Sequence, residues 1–261
     1  MSHVPPESPT SALARSVAII ADGNRRWARA RGLPAIAGHC AGVDTAWQLV
    51  RHALVLGIDQ LVVFAFSTEN WQRPPHEVDA LFDLFGTRVV PEARLVVGEL
   101  GVRVRFIGRL DLIPVALQRD MRAAERITAS GCRMALFIAF NYGGRAELLD
   151  AARDYKGGGE RELRGLLYAP EMRDPDVLIR TGGDQRLSNF LLWQAADTEL
   201  VFRDELFPDF TRKAFEASLT QLNQQRDRGS VHDVYPPTIK QGLASTEAIL
   251  ASGASHSRAS D

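Results

Sequence analysis

Apolar, β-branched and aromatic residues gather in short runs at 17–20, 61–66, 102–107, 135–140 and 177–179, each closed by Gly, Asn, Ser or Arg. Runs of that length and composition predict buried strands. Between them the spacing changes. Val43, Ala46, Trp47, Val50 and Leu54 follow the i, i+3, i+4, i+7 rhythm of an amphipathic helix, and Val78, Leu81, Phe82, Phe85 and Val89 repeat it. Ile113, Ala116, Leu117, Ala124 and Ile127 form a looser third case, and residues 190–196 read as a further helical stretch. Strand and helix in alternation predict βαβ units. The expected fold is therefore α/β: one domain with a mostly parallel central sheet flanked by helices.

In such a sheet ligands bind beyond the carboxyl ends of the strands, so the residues closing each run are where chemistry is expected. The first run ends in Asp22-Gly23-Asn24 and passes into Arg25, Arg26, Trp27, Arg29 and Arg31. One carboxylate beside several guanidiniums suits an anion held with a metal ion, although a glycine turn before a solvated basic helix has the same composition. The second ends in Ser67, Thr68, Glu69, Asn70, Trp71, Gln72 and Arg73, with Pro74 and Pro75 after it. That is either a lid of restricted freedom or a solvated loop. The fourth closes with Asn141-Tyr142-Gly143-Gly144, which predicts a tight turn into a helix rather than catalysis.

The fifth run closes with Arg180-Thr181-Gly182-Gly183, then Arg186, Leu187 and Ser188. Planar guanidinium forks, hydroxyls and unhindered backbone donors are what diphosphate recognition needs, and a plain strand-to-helix turn shares the sequence. His39, in Gly38-His39-Cys40, either donates to a phosphate or caps a helix. Glu199, in a short extended run at 198–202, is either a metal ligand or a surface carboxylate at a strand start.

Composition narrows the classes. With 261 residues, 45% of them hydrophobic, the chain can bury one sizeable core. A net charge of -1 argues against a nucleic-acid partner while leaving local arginines free to bind a small anion. Cys40 and Cys132 lack metal-ligand spacing and predict free thiols in a reducing, cytoplasmic setting. Residues 1–15 are expected to be a disordered lead-in and 242–261 a disordered tail, around a domain at 16–241. No run approaches the roughly 18 apolar residues of a membrane span.

The motifs Asp22-Gly23-Asn24 with Arg26-Trp27-Ala28, Gly38-His39, Phe66-Ser67 through Arg73-Pro74, Asn141-Tyr142-Gly143-Gly144-Arg145, Ile179-Arg180-Thr181-Gly182-Gly183 and Ser188-Asn189-Phe190-Leu191-Leu192-Trp193-Gln194 stand in order along the chain. In these the sequence resembles the cis-prenyltransferases, the isoprenyl diphosphate synthase family that includes undecaprenyl diphosphate synthase. The resemblance implies a homodimer around a six-stranded sheet, with a hydrophobic tunnel. It also implies a Mg²⁺-dependent transferase that condenses an allylic diphosphate with isopentenyl diphosphate to form a cis-polyprenyl diphosphate, whose product brings the protein into peripheral contact with a membrane.

By that resemblance, Gly23, Asn24, Arg25, Arg26, His39 and Arg73 hold the allylic diphosphate near the catalytic Asp22, and Arg180, Arg186 and Ser188 hold isopentenyl diphosphate. Ser67, Thr68, Glu69 and Leu187 complete the substrate-binding set, while Trp27 and Trp71 line the path of the apolar chain. Asp22 and Glu199 surround Mg²⁺, and Asn70 is the position given as proton acceptor. A neutral carboxamide is a poor base, so Asn70 is expected to position the proton for a diphosphate oxygen or water.

Some positions depart from the family pattern. Ala35 stands where an arginine is usual, which leaves one allylic contact missing or supplied by a neighbour such as Arg31. Asp197 replaces a usual tyrosine, Ala21 a usual methionine, and the basic, aromatic and glycine ending is reduced to Arg226-Asp227-Arg228-Gly229. The small Ala65 favours a medium or long product, whereas Arg25 beside Arg26 resembles short-chain members.

Three other functions fit the sequence less well. A non-catalytic partner subunit would have lost Asp22, Asn70, Arg180 and Arg186; an irregular coupling of two allylic diphosphates would lack the isopentenyl site; a nucleotide-binding protein would carry a glycine-rich loop ending in Lys-Ser or Lys-Thr.

Overall fold

The computed structural model describes residues 14–229. Strands β1 (Ser16–Ile20), β2 (Gln60–Ser67), β3 (Val102–Ile107), β4 (Met134–Tyr142), β5 (Val177–Arg180) and β6 (Glu199–Phe202) form one sheet in the order β3-β4-β2-β1-β5-β6. Every neighbouring pair is parallel. The connections carry α1 (Asn24–Ala30), α2 (Ala35–Val55), α3 (Pro75–Leu84), α4 (Val90–Leu100), α5 (Val115–Thr128), α6 (Gly144–Asp154) and α7 (Glu160–Arg164), and α8 (Arg212–Gly229) follows the last strand.

Both faces of the sheet are covered, which is why its strands read as unbroken apolar runs. Val17, Ile19, Leu61, Val63, Leu136, Ile138, Val177 and Ile179 pack on one face with Leu49, Val50, Leu81 and Phe215. The alternate positions Ala18, Ile20, Val62, Phe64, Phe137, Ala139 and Leu178 pack on the other with Met172, Phe190 and Leu191. Near the carboxyl end of β4, fully buried Phe140 meets Phe85 (ring centroids 4.1 Å), Phe66 (5.2 Å) and Phe82 (5.7 Å). Truncating such a ring leaves a cavity that its neighbours fill only in part. We expect Phe140→Ala to cost about 3–5 kcal/mol, measured as a lower urea midpoint at unchanged slope.

The helix expected at 43–54 lies in α2, and the one expected over 113–127 is α5, which starts only at Val115 because Ile113 is extended before Pro114. The run at 78–89 is divided: α3 ends at Leu84, a π-helical turn spans Phe85–Val89, and α4 begins at Val90. The wider turn buries both Phe85 and Val89. The helix expected at 190–196 is absent, and the segment is a series of turns. Ser188, Asn189 and Leu191 have φ of 49°, 63° and 45°, and left-handed residues cannot begin a right-handed helix.

Two glycines set the seat of α1. A Cβ at Gly38 would strike the Asn24 carbonyl, and one at Gly42 the Asn24 side chain, so the start of α1 rests directly on α2. The tail at 242–261, and all but the last two residues of the lead-in at 1–15, lie outside the described residues. Among the described residues no helix is long and apolar enough to cross a membrane.

Candidate active site

The carboxyl ends of β1, β2 and β5 open into a cavity of about 910 Å³. Its lining includes Asp22, Gly23, Asn24, Arg25 and Arg26 after β1, Ser67, Glu69, Asn70 and Arg73 after β2, and Arg180, Arg186 and Ser188 from β5 and its loop. Arg29 on α1, His39 on α2, Arg145 on α6 and Asn189 complete the polar wall, with Phe64, Ala65 and Phe66 in its apolar part. Seven arginines against the carboxylates of Asp22 and Glu69 leave a wall of strong positive excess, suited to a multiply charged anion.

Local geometry explains how the charges come together. Gly23 adopts φ 110° at the end of the strand, and a Cβ there would collide with Leu206. The buried Thr181 hydroxyl accepts from the Asp22 N–H (3.1 Å) and donates to the Asp22 carbonyl (2.8 Å), pinning the β1 turn to β5. Arg180, only 3% exposed, donates to the Asp22 carboxylate at 2.8 Å and lies 3.3 Å from Asp184. Its other terminal nitrogen donates to Ser188 Oγ (2.6 Å) and to the Arg186 carbonyl (2.5 Å), which folds the loop back over the strand end. Arg26 bridges the same group, 3.3 Å from Asp22 and 2.6 Å from the Gly182 carbonyl.

A second cationic group lies across the cavity. Glu77 on α3 pairs with Arg73 (3.1 Å) and Arg25 (3.4 Å), and Arg73 approaches His39 Nε2 at 3.4 Å. Burial, then the charges of Arg73 and Arg25, push the His39 pKa down to about 4. The imidazole is thus neutral at pH 7 and offers one donor and one acceptor. Because the folded value lies below the unfolded one, His39 contributes stability at neutral pH that is lost as pH falls from about 6.5 towards 4. Wild type should lose more urea resistance than His39→Gln as pH falls through that window. A diphosphate beside the ring should raise its pKa, visible in an NMR titration.

An apolar pocket of about 90 Å³ adjoins this cavity, sharing Ala21, Asn24, His39, Phe64 and Ala65 with it. Ala65 falls at a register shift in the β2–β4 pairing, where a bulge re-aims the end of the strand beside the cavity. Trp47, Leu84, Phe85 and Val89 wall the pocket on the helix side.

Comparison with known proteins decides what the cavity belongs to. The family model described as "Putative undecaprenyl diphosphate synthase", a prenyltransferase family, matches residues 20–230. The chain belongs to this family. An isoprenyl transferase of Thermotoga maritima is 46% identical over 221 residues, covering 81% of this chain and 94% of that one. A ditrans,polycis-undecaprenyl-diphosphate synthase of Pseudomonas aeruginosa, specific for (2E,6E)-farnesyl diphosphate, is 43% identical over 225 residues, covering 82% and 89%. The crystal structure of lavandulyl diphosphate synthase from Lavandula x intermedia, in complex with dimethylallyl diphosphate, superposes with a TM-score of 0.78 at 32% identity, covering 80% and 95%.

In this prenyltransferase most of the residues singled out in the sequence reach one cavity: Asp22, Gly23, Asn24, Arg25, Arg26, His39, Ser67, Glu69, Asn70, Arg73, Arg180, Arg186 and Ser188. Five others do not line it. Trp27 donates its indole N–H to Asp209 at 2.7 Å and lies under the Arg31 guanidinium. Trp71 donates to Asn141 at 2.7 Å, packs on Phe66 and Phe82, and is 43% exposed. Thr68 hydrogen-bonds Glu69, and Leu187 packs against the second core face. Glu199 opens β6 in register with Val177 and Val17 at the amino end of the strands, whereas Asp22 follows their carboxyl end. A single chain therefore does not bring these two carboxylates to one ion.

Arg31 does not substitute for the arginine missing at Ala35, because Asp209 holds it at 3.2 Å; Arg29 is the nearby guanidinium that lines the cavity. Asp197 is exposed. Outside the expected substrate-binding set were Arg29, Arg145 and Asn189 in the lining and the pairing carboxylates Glu77 and Asp184. Two of these had a local signal: Arg29 is four residues after Arg25, and Glu77 four after Arg73 on a helix start.

Proposed function

We propose that this isoprenyl transferase condenses an allylic diphosphate with isopentenyl diphosphate in the 910 Å³ cavity, extending a cis-prenyl chain. The observation that carries the reading is the presence of two arginine groups on one cavity, Arg25–Arg73–His39 and Arg180–Arg186–Ser188, with Asp22 and Arg26 between them. Two diphosphates can then lie with their carbon ends facing each other and with the allylic tail in the adjoining apolar pocket. The allylic C–O bond breaks with its electron pair leaving on diphosphate, the isopentenyl double bond attacks the allylic carbon, and loss of a proton forms the new double bond. Guanidiniums aimed at the leaving group stabilise the charge that develops there. Asn70, whose Oδ1 accepts from the Ser67 N–H at 3.2 Å, positions the proton for a diphosphate oxygen.

Magnesium belongs to the same reading. No cluster of three or more metal-ligating side chains occurs among the described residues, but Mg²⁺ is commonly held by one or two carboxylates plus substrate phosphates and water. The Asp22 carboxylate, 30% exposed on the cavity wall, fits that requirement. When bound, the ion would neutralise diphosphate charge. Retention of Arg180, Arg186 and Ser188 favours regular over irregular coupling. A homodimer and peripheral contact with a membrane through the product, in a cytoplasmic setting, complete the proposal; Leu200 lies exposed on the edge strand β6.

The test is to incubate the protein with Mg²⁺, farnesyl or geranyl diphosphate and labelled isopentenyl diphosphate, and to size the labelled products. Label in a prenyl product that disappears with a chelator is expected; no label with either primer would sink the reading. Large side chains, rather than Ala65, limit the apolar pocket, so Phe85→Ala should lengthen the products by about one five-carbon unit or more.

A further inference from the structure

Asn189 lines the cavity next to Ser188, and nothing in the reaction above uses it. Its backbone is left-handed (φ 63°), as are those of Ser188 (49°) and Leu191 (45°). Asparagine tolerates that conformation, serine and leucine much less, so the segment must be held from outside. The holding contacts are specific. Arg180 donates to Ser188 Oγ at 2.6 Å, the Gly144 N–H donates to the Asn189 carbonyl at 2.7 Å, and the Arg145 N–H donates to Asn189 Oδ1 at 2.8 Å.

The remaining end of the carboxamide points the other way. Asn189 Nδ2 donates to Glu69 Oε1 at 2.8 Å, 120 residues earlier in the chain. Glu69 belongs to the 3₁₀ turn Thr68–Gln72, which a capping box of Ser67 and Asn70 closes. Partial burial works to raise the Glu69 pKa, but hydrogen bonds from Asn189, its own backbone, Ser67 and Thr68 outweigh it and keep the group an ionised acceptor. The close approach is built in: a Cβ at Gly143 would meet both Thr68 Oγ1 (2.6 Å) and Asn189 Nδ2 (2.7 Å). A continuous chain of contacts thus runs from Arg180 through Ser188 and Asn189 to Glu69 and the turn that carries Asn70.

We propose that Asn189 is a positioning residue that couples the two diphosphate half-sites, so that order in the Arg180–Ser188 loop is transmitted to the Asn70 turn through its hydrogen bond to Glu69. The inference rests on the proposed condensation, and turnover of both diphosphates by the wild-type protein is the control that separates failure of one from failure of the other. Anything that orders the Ser188 side should favour the arrangement of the Asn70 side, and the reverse holds by linkage.

Exchanging donor and acceptor tests this. Asn189→Asp keeps the acceptor for the Arg145 amide but removes the donor facing Glu69 and sets two carboxylates together. In the double variant Asn189→Asp with Glu69→Gln, the residue at 69 donates and the residue at 189 accepts, so the bridge reforms with roles reversed. Asn189→Asp should lower kcat/KM for isopentenyl diphosphate by about 10- to 100-fold, and the double variant should recover most of that loss. Glu69→Ala, which leaves residues 188–191 untouched, should also lower kcat/KM for isopentenyl diphosphate, and it carries the test if Asn189→Asp fails to fold by circular dichroism. A folded Asn189→Asp protein with wild-type kinetics, a double variant no faster than Asn189→Asp, or Glu69→Ala with unchanged isopentenyl parameters would overturn the proposal.

Discussion

Replacing Asp22 by alanine should lower kcat by about 10³-fold or more while leaving the fold intact by circular dichroism. Asp22 is the cavity carboxylate that meets both arginine-bearing elements, 2.8 Å from Arg180 and 3.3 Å from Arg26. Its loss removes the carboxylate proposed to hold a cation against substrate phosphates, but it also frees two guanidiniums for those phosphates. Substrate affinity should therefore hold or improve while turnover collapses. That split distinguishes a role in the reacting state from a role in binding. Asp22→Asn keeps the shape and loses the charge, and should be nearly as inactive. A variant with unchanged kcat would refute the assignment.

The second large effect is expected at Arg180. This side chain is 3% exposed and bonds to Asp22, Asp184, Ser188 and the Arg186 carbonyl, so it holds together the loop proposed to bind isopentenyl diphosphate. Lysine keeps the charge but cannot present two parallel donors, and its single ammonium cannot span partners on both sides. Arg180→Lys should reduce kcat/KM for isopentenyl diphosphate by about 100-fold or more, with a smaller change for the allylic substrate. Equal losses for both substrates in steady-state kinetics would show that Arg180 acts on the whole cavity rather than on one half.

The sheet was legible because its strands are buried on two faces. Runs such as 61–66 and 135–140 have no polar alternation to confuse them, and the glycine, asparagine and arginine residues closing them mark the rim. The turns at 190–196 were not legible, because Phe190, Leu191, Leu192 and Trp193 carry an apolar density that suits a helix, while the left-handed Ser188 and Asn189 just before them are held by contacts with β5 and α6. That Asp22 and Arg180 reach the rim was readable, since Arg180 ends β5 and Asp22 follows β1 by two residues. Trp27 and Trp71 were placed on the substrate path by family resemblance alone. Their indole N–H groups are instead taken by Asp209 and Asn141, residues far away in sequence. Glu199 is a different case: as the first residue of a strand parallel to β5 it lies at the amino end of the sheet, opposite the rim that carries Asp22, and strand direction alone fixes that.

The central claim is that two diphosphates occupy one cavity in fixed halves. A crystal structure of the protein with Mg²⁺, isopentenyl diphosphate and an unreactive allylic thiolodiphosphate tests it directly. The account predicts the allylic diphosphate on Asn24, Arg25, Arg26, His39 and Arg73 beside Asp22, and the isopentenyl diphosphate on Arg180, Arg186 and Ser188. Both ligands bound away from Asp22 and Arg180, or the two halves interchanged, would contradict it.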